Sequence, residues 1–187
     1  MFRLAVATSL FCLACAAQGQ NLRLGYFGET ATHYGLRGGA EFTLNQTEKS
    51  KNNGGIVRKE LFLGLTLTLY RHPQNHVGAI FSPELGFRRT GKGGGLLQAA
   101  LSPGLFRSFY EGATWQPGED GKFEKIPFAG QWGFIPGLSL GFGHDFSVKG
   151  GAPVLLFANL HYMQQHPYNS SFLHKAAVEA GIIFKRP

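Results

Sequence analysis

Three sets of side chains in the sequence are of types that do chemistry. Ser139, His161 and Glu179 fall on the polar sides of three successive segments and match a nucleophile, its base and an orienting carboxylate. Depth argues against that use. Counted from a turn at 145–151, Ser139 and His161 stand about 13 Å apart at ~3.3 Å per residue. The second set is histidine. His72 and His76 straddle a proline-containing turn, and His161 and His166 lie across a strand end with no carboxylate or cysteine completing a ligand set. No metal and no cofactor is expected, and no residue is given a catalytic role. The third set is ionic. Arg37, Glu41, Glu84, Arg88 and Glu179, joined by Arg107 if the register slips, are three acids and three bases set among small polar neighbours. That is the inventory of a charge-balanced structural network.

The segments that position these groups alternate with period two. In 61–70, Leu61, Leu63, Leu65, Leu67 and Leu69 share one face, while Phe62, Gly64, Thr66, Thr68 and Tyr70 share the other. Such a strand meets an apolar phase on one side and something small or polar on the other. Segments 35–44, 77–88, 131–143, 154–163 and 176–185 read the same way, 22–28 more weakly, and 96–110 supplies another. Together they make about eight strands, with no helix-length amphipathic segment between them, so antiparallel neighbours are expected.

Turn chemistry punctuates the strands. His72-Pro73-Gln74-Asn75 and His166-Pro167-Tyr168-Asn169 are one repeated element, in which proline presets a turn and asparagine tolerates a left-handed backbone. TGKGGG at 90–95 and Lys149-Gly150-Gly151 are tight links, and longer polar connections lie at 45–55 and 114–122. Lysines gather near these connections, including Lys49, Lys51, Lys59 and Lys92. Segment 96–110 fits badly, because the face carrying Leu97, Leu101 and Leu105 also carries Arg107. An arginine facing lipid at mid-depth costs roughly 2–4 kcal/mol. A bulge at Pro103-Gly104 would turn it inward.

The polar faces decide which phase the leucines meet. They are crowded with Gly, Ser and Thr and carry few charges, whereas a soluble exterior intersperses many Lys and Glu. A narrow lumen with the apolar face turned to lipid suits this pattern. Composition agrees: charged residues are only 16% and aromatics 13%, with Gly 27, which excludes a disordered chain and a coiled coil. Residues 1–19 read as a cleaved export signal, with Arg3, an apolar run at 4–17 and Ala17-Gln18-Gly19 at the cut. Both cysteines, Cys12 and Cys15, fall inside it, leaving 20–187 as a thiol-free β-barrel domain. The net charge of +7 forms no zinc-finger spacing or compact basic stripe, so nucleic acid is not an expected partner.

The alternating strands, the export segment and the terminal strand resemble the small outer-membrane β-barrel proteins of Gram-negative bacteria. In particular, they resemble the uncharacterised porin-like barrels of Bacteroidota. The most specific part is the last strand, where Val178, Ala180, Ile182 and Phe184 alternate up to an aromatic. In the family such a strand is the signal read by the outer-membrane assembly machinery. Here Lys185-Arg186-Pro187 follows the aromatic, whereas the family usually ends on it. The expectation is an all-β, antiparallel, up-and-down transmembrane barrel of eight strands in outer-membrane lipid, with a structural or interaction role. A narrow solute conduit, a lipid-modifying enzyme and an exported soluble ligand-binding barrel are the alternatives.

Overall fold

The computed structural model describes residues 20–29, 33–50, 56–118, 121–168 and 171–186. The expected export segment 1–19, and Lys51 and Asn169 of the expected connections, lie outside these residues. The strands are β1 (Asn21–Glu29), β2 (His33–Ser50), β3 (Ile56–His72), β4 (His76–Thr90), β5 (Gly95–Ser102) and β6 (Leu105–Tyr110). They continue with β7 (Thr114–Pro117), β8 (Phe123–Ile126), β9 (Trp132–Phe134), β10 (Gly137–Asp145), β11 (Val154–Tyr168) and β12 (Ser171–Phe184). Every pairing is antiparallel, and β12 pairs back onto β1, which closes the ring.

Two breaks are nominal. β5 and β6 part at Pro103-Gly104, and β9 and β10 part at Ile135-Pro136, where proline withholds a ladder donor. Ile135 N–H still donates to Gly104 O at 2.7 Å and Gln164 N–H to Pro136 O at 3.0 Å. Each pair therefore acts as one stave, and the barrel has eight; β7 and β8 form a separate hairpin between the fifth and sixth. Followed round the ring, the pairing returns to β1 about ten residues along, which for eight strands means a tilt of about 42° and an interior just filled by side chains.

The faces are sorted as alternation predicts. On β3, Leu61, Leu65, Leu67 and Leu69 are exposed and Leu63 is half-buried, while Phe62, Thr66, Thr68 and Tyr70 are buried. Leu24, Leu36, Leu85, Leu101, Leu140 and Leu160 carry the outward band round the barrel. From Leu61 to Leu69 it stands roughly 20 Å tall along the axis. On β12, Val178, Ala180 and Phe184 are exposed and Ile182 is half-buried. These four lie opposite Gly28, Tyr26, Leu24 and Leu22 of β1, at the seam.

Several local expectations need correction. No bulge occurs at Pro103-Gly104: Leu85 pairs with Leu101 and Phe81 with Leu105, so the same number of residues separates the pairs on both strands. The observed irregularities lie elsewhere, between Thr43 and Asn45, where β2 and β3 run on as a polar ribbon past the apolar band, and between Gln165 and Tyr168 of β11. In the first His-Pro element the left-handed residue is Gln74 (φ 64) rather than Asn75. The second is no isolated turn, since His166-Pro167-Tyr168 belongs to β11. The connection at 114–122 is partly strand, as β7 pairs with β8.

Adjacent glycines on β2 give a controlled comparison. A Cβ on Gly39 would collide with the Leu65 carbonyl of β3, whereas one on Gly38 would meet only Arg23 O and Leu24 Cδ1, each at 3.8 Å. Gly39→Ala should therefore lower stability in detergent by about 1–3 kcal/mol in urea titration. Gly38→Ala should change it by no more than about 0.5 kcal/mol.

Candidate functional site

The inward charges follow the hydrogen-bonding direction of the sheet. Glu60 pairs with Arg88, Arg88 with Gln98, Gln98 with Gly141, Gly141 with Asn159, and Asn159 with Glu179. One row thus places five polar side chains and one glycine side by side across six staves. The glycine is required. A Cβ at Gly141 would occupy the position of Asn159 Oδ1, and its absence lets Gln98 Nε2 reach that oxygen at 2.8 Å.

Two arginines from β1 and β2 tie this row to Glu84 on β4. Arg23 donates from Nε and Nη2 to the two oxygens of Glu179, at 3.0 and 2.6 Å, and from Nη1 to Glu84 at 2.9 Å. Arg37 donates to the other Glu84 oxygen and, at 3.1 Å, to Thr68 Oγ1. Glu179 also accepts from Asn159 at 3.2 Å and meets His161 Nε2 at 2.8 Å. Further along, Arg88 binds Glu41 bidentately at 2.7 and 2.9 Å, lies 3.5 Å from Glu60, and donates to Gln98 at 2.9 Å. Among the described residues, three arginines and four glutamates share this central network, all 5% exposed or less.

The structure brings together five of the six residues expected for the network: Arg37, Glu41, Glu84, Arg88 and Glu179. Arg107 is the exception. It stays on the outward side, paired with Trp132 and Ala79, with its guanidinium 5.2 Å from the rings of Phe109 and Trp132 and 2.9 Å from Phe128 O. It lies past Leu105 and Phe134, beyond the apolar band, so the mid-depth penalty that motivated a bulge does not apply. Arg23 and Glu60 were not expected. Arg23 does alternate with Leu22 and Leu24, a signal present in the sequence but only a few residues long.

Ser139 also stands elsewhere than expected. It lies directly opposite His161, because Asp145 pairs with Leu155 across a longer turn than 145–151. His161 Nε2 meets Glu179, whose carboxylate also accepts from Arg23 and Asn159, while among the described residues Ser139 makes no hydrogen bond to His161; all three side chains are buried.

Apolar layers flank the ions. Phe27, Tyr70, Ile80, Phe106, Ile135, Met163 and Ala177, one from each stave except that of β2, cluster across the lumen. Leu96, Leu155, Phe157 and Ile183 form a second cluster, on which Arg23 stacks, 4.7 Å from the Phe157 ring. Outside the first layer is a polar vestibule of about 270 Å³ whose lining includes Glu29, His33, His72, His76 and Lys175. The His33 and His72 rings are 3.8 Å apart, and Lys175 Nζ is 2.8 Å from Glu29. Among the described residues, no group of His, Cys, Asp or Glu is placed to hold a metal ion.

At the same end, Arg71 Nε and Nη2 donate to Glu111 at 2.6 and 3.2 Å, and the Gln74 amide adds a third bond at 3.1 Å. Chiefly through the Arg71 hydrogen bond, the Glu111 carboxyl is held below the usual carboxylate range. A carboxyl held low favours the folded connection above its unfolded pKa, and that contribution disappears as pH falls through the folded value. Arg71→Gln should return Glu111 to an ordinary titration, read by carboxyl-carbon NMR. In the network, Arg88→Met should cost about 3–5 kcal/mol, because buried carboxylates lose their partner. Adding Glu41→Met should recover part of that loss, the two effects being non-additive in a double-mutant cycle.

No family model matches the sequence, and no curated protein matches it. Some solved structures align with the chain over most of its length. Neisserial surface protein A is 12% identical with a TM-score of 0.47, the alignment covering 89% of this chain and 94% of that one. The beta domain of the Bordetella autotransporter BrkA is 13% identical with a TM-score of 0.34, covering 89% and 98%. The NanC porin is 11% identical with a TM-score of 0.16, covering 89% and 100%. With likeness this distant, the barrel's own pairing and polarity are the ground for a functional reading.

Proposed function

We propose that this chain is an outer-membrane β-barrel of a Gram-negative envelope, acting as a non-enzymatic scaffold or interaction protein rather than a pore. The observation that carries the reading is its inverted polarity: leucines cover the outside while arginines, glutamates and glutamines fill the inside. In water such an exterior would be one continuous exposed apolar belt, far beyond an ordinary surface patch. In a bilayer the same belt is the favourable contact, and a closed ring leaves no unpaired strand edge. The alternating last strand, with Val178, Ala180, Ile182 and Phe184, suits recognition by the outer-membrane assembly machinery. The narrower likeness to porin-like barrels of Bacteroidota belongs to the same proposal.

The lumen argues for a scaffold over a conduit. A solute crossing it would have to part the Phe27–Tyr70–Phe106 layer and then a network whose carboxylates are already bound by guanidiniums. Against lipid-modifying chemistry stands the buried position of Ser139, His161 and Glu179, remote from any lipid ester on the outside.

Cell fractionation tests the location, with boiled and unboiled gel samples testing the closed barrel. Recovery with outer membranes and heat-dependent migration are expected; recovery from the soluble periplasm would favour the exported soluble barrel instead. In planar bilayers the purified protein should give no steady single-channel conductance. A reproducible open state would move the assignment to the conduit.

A further inference from the structure

The two outward rims treat their cations differently. At the vestibule end, Arg71 is bound by Glu111, and Arg107 is bound by Phe128 O and stacked on aromatic rings. At the end bearing both described termini, Lys59 of β3 and Arg89 of β4 are both exposed and face each other directly in the register. Among the described residues, neither side chain has a hydrogen-bond or ion-pair partner. Two like charges opposite one another on an antiparallel pair repel. A doubly hydrogen-bonding anion between them reverses that sign.

The surface beside Arg89 says which kind of anion. Phe87 pairs with Ala99, and Ala99 with Leu140, so a small side chain lies between two large ones. The result is an outward furrow of about 350 Å³ lined by Phe87, Leu97, Ala99 and Leu140, with Arg89 at its head. A cationic head joined to an apolar furrow, at the edge of the leucine band, complements an amphiphile lying along the barrel. An inorganic ion would leave the furrow without an occupant.

We propose that Lys59 and Arg89 form a binding site for an anionic phospholipid. Its headgroup phosphate sits between the two cations, and one acyl chain lies in the Phe87–Ala99–Leu140 furrow. The site rests on the membrane reading above. It makes the rim near the termini selective for anionic lipid, where the opposite rim is anchored by aromatic rings and internally paired arginines.

The test compares the protein with Lys59→Gln, Arg89→Gln and Ala99→Phe variants, with Lys125→Gln as a control on the distant β8. Each is reconstituted in phosphatidylcholine vesicles containing a minor fraction of phosphatidylglycerol. Co-purifying lipid is then counted by native mass spectrometry after mild detergent extraction. The unsubstituted protein should retain phosphatidylglycerol in preference to phosphatidylcholine. Either charge substitution should cut that preference about fivefold, Ala99→Phe should also reduce it, and Lys125→Gln should leave it intact. Equal retention by all variants overturns the site while leaving the membrane reading in place. Loss of the preference to inorganic phosphate, with Ala99→Phe silent, overturns it in favour of a free-anion site. Failure of the unsubstituted barrel to resist alkaline extraction from the vesicles defeats the membrane reading itself.

Discussion

A carboxylate inside a ring of eight staves has no water shell to retreat to, so it must be paired or the ring does not form. This requirement organises the interior. Glu84 and Glu179 approach from opposite walls, and Arg23 spans them with one guanidinium, binding both. Arg37 secures Glu84 a second time, and Arg88 does the equivalent for Glu41. Each bridge crosses strands that are far apart in sequence, so the network forms only when the ring is closed in its native register. A slip of one residue would carry Arg88 outward and bring Phe87 in. The ions thus specify register, a different contribution from net stability, which a well-packed apolar lumen would match.

That division of labour explains the two kinds of packing around the network. Phe27, Tyr70, Phe106 and Met163 fill the cross-section between the central network and the vestibule and remove the space that water would need to reach the ions. Glycine supplies the complementary device, since Gly141 gives its neighbours' amides the room to meet. The abundance of glycine on inward faces is therefore a condition for large inward side chains on neighbouring strands, and turns account for only part of it.

Face assignment was legible in the sequence because it depends only on parity. Leu61 to Leu69 alternate against small and polar partners, and no other arrangement of a strand sorts them so cleanly. Depth was not legible, because it depends on tilt and on the true length of each turn, neither of which leaves a periodic trace. Arg107 shows the consequence: it has the parity of the leucines but sits past the end of their band, so an inward turn was not needed. Ser139 and His161 show the same gap in another form, a turn length misjudged enough to separate two residues that face one another. Glu60 was hidden because β2 and β3 continue beyond the apolar band, where the alternation that marks a strand is lost. Arg23 was hidden by the shortness of β1, though its inward neighbours carry the same parity.

Closing the lumen with paired ions and aromatic rings leaves the outside and the rims as the surfaces on which selection can act. Interior side chains are committed to one another, and their chemistry is spent on holding the register. At the vestibule rim the cations are likewise committed, to Glu111 and to the rings of Phe109 and Trp132. Lys59 and Arg89 are different in kind. Each could have been matched by a carboxylate on an adjoining position, as Arg58 is by Glu48 at 3.0 Å on the opposite face of the same ribbon. Instead their neighbours in the register are each other, Thr47 and Leu97. A charge pair tolerated in that setting points outward from the fold for its partner, and the apolar furrow beginning at Arg89 confines that partner to a molecule with an acyl chain.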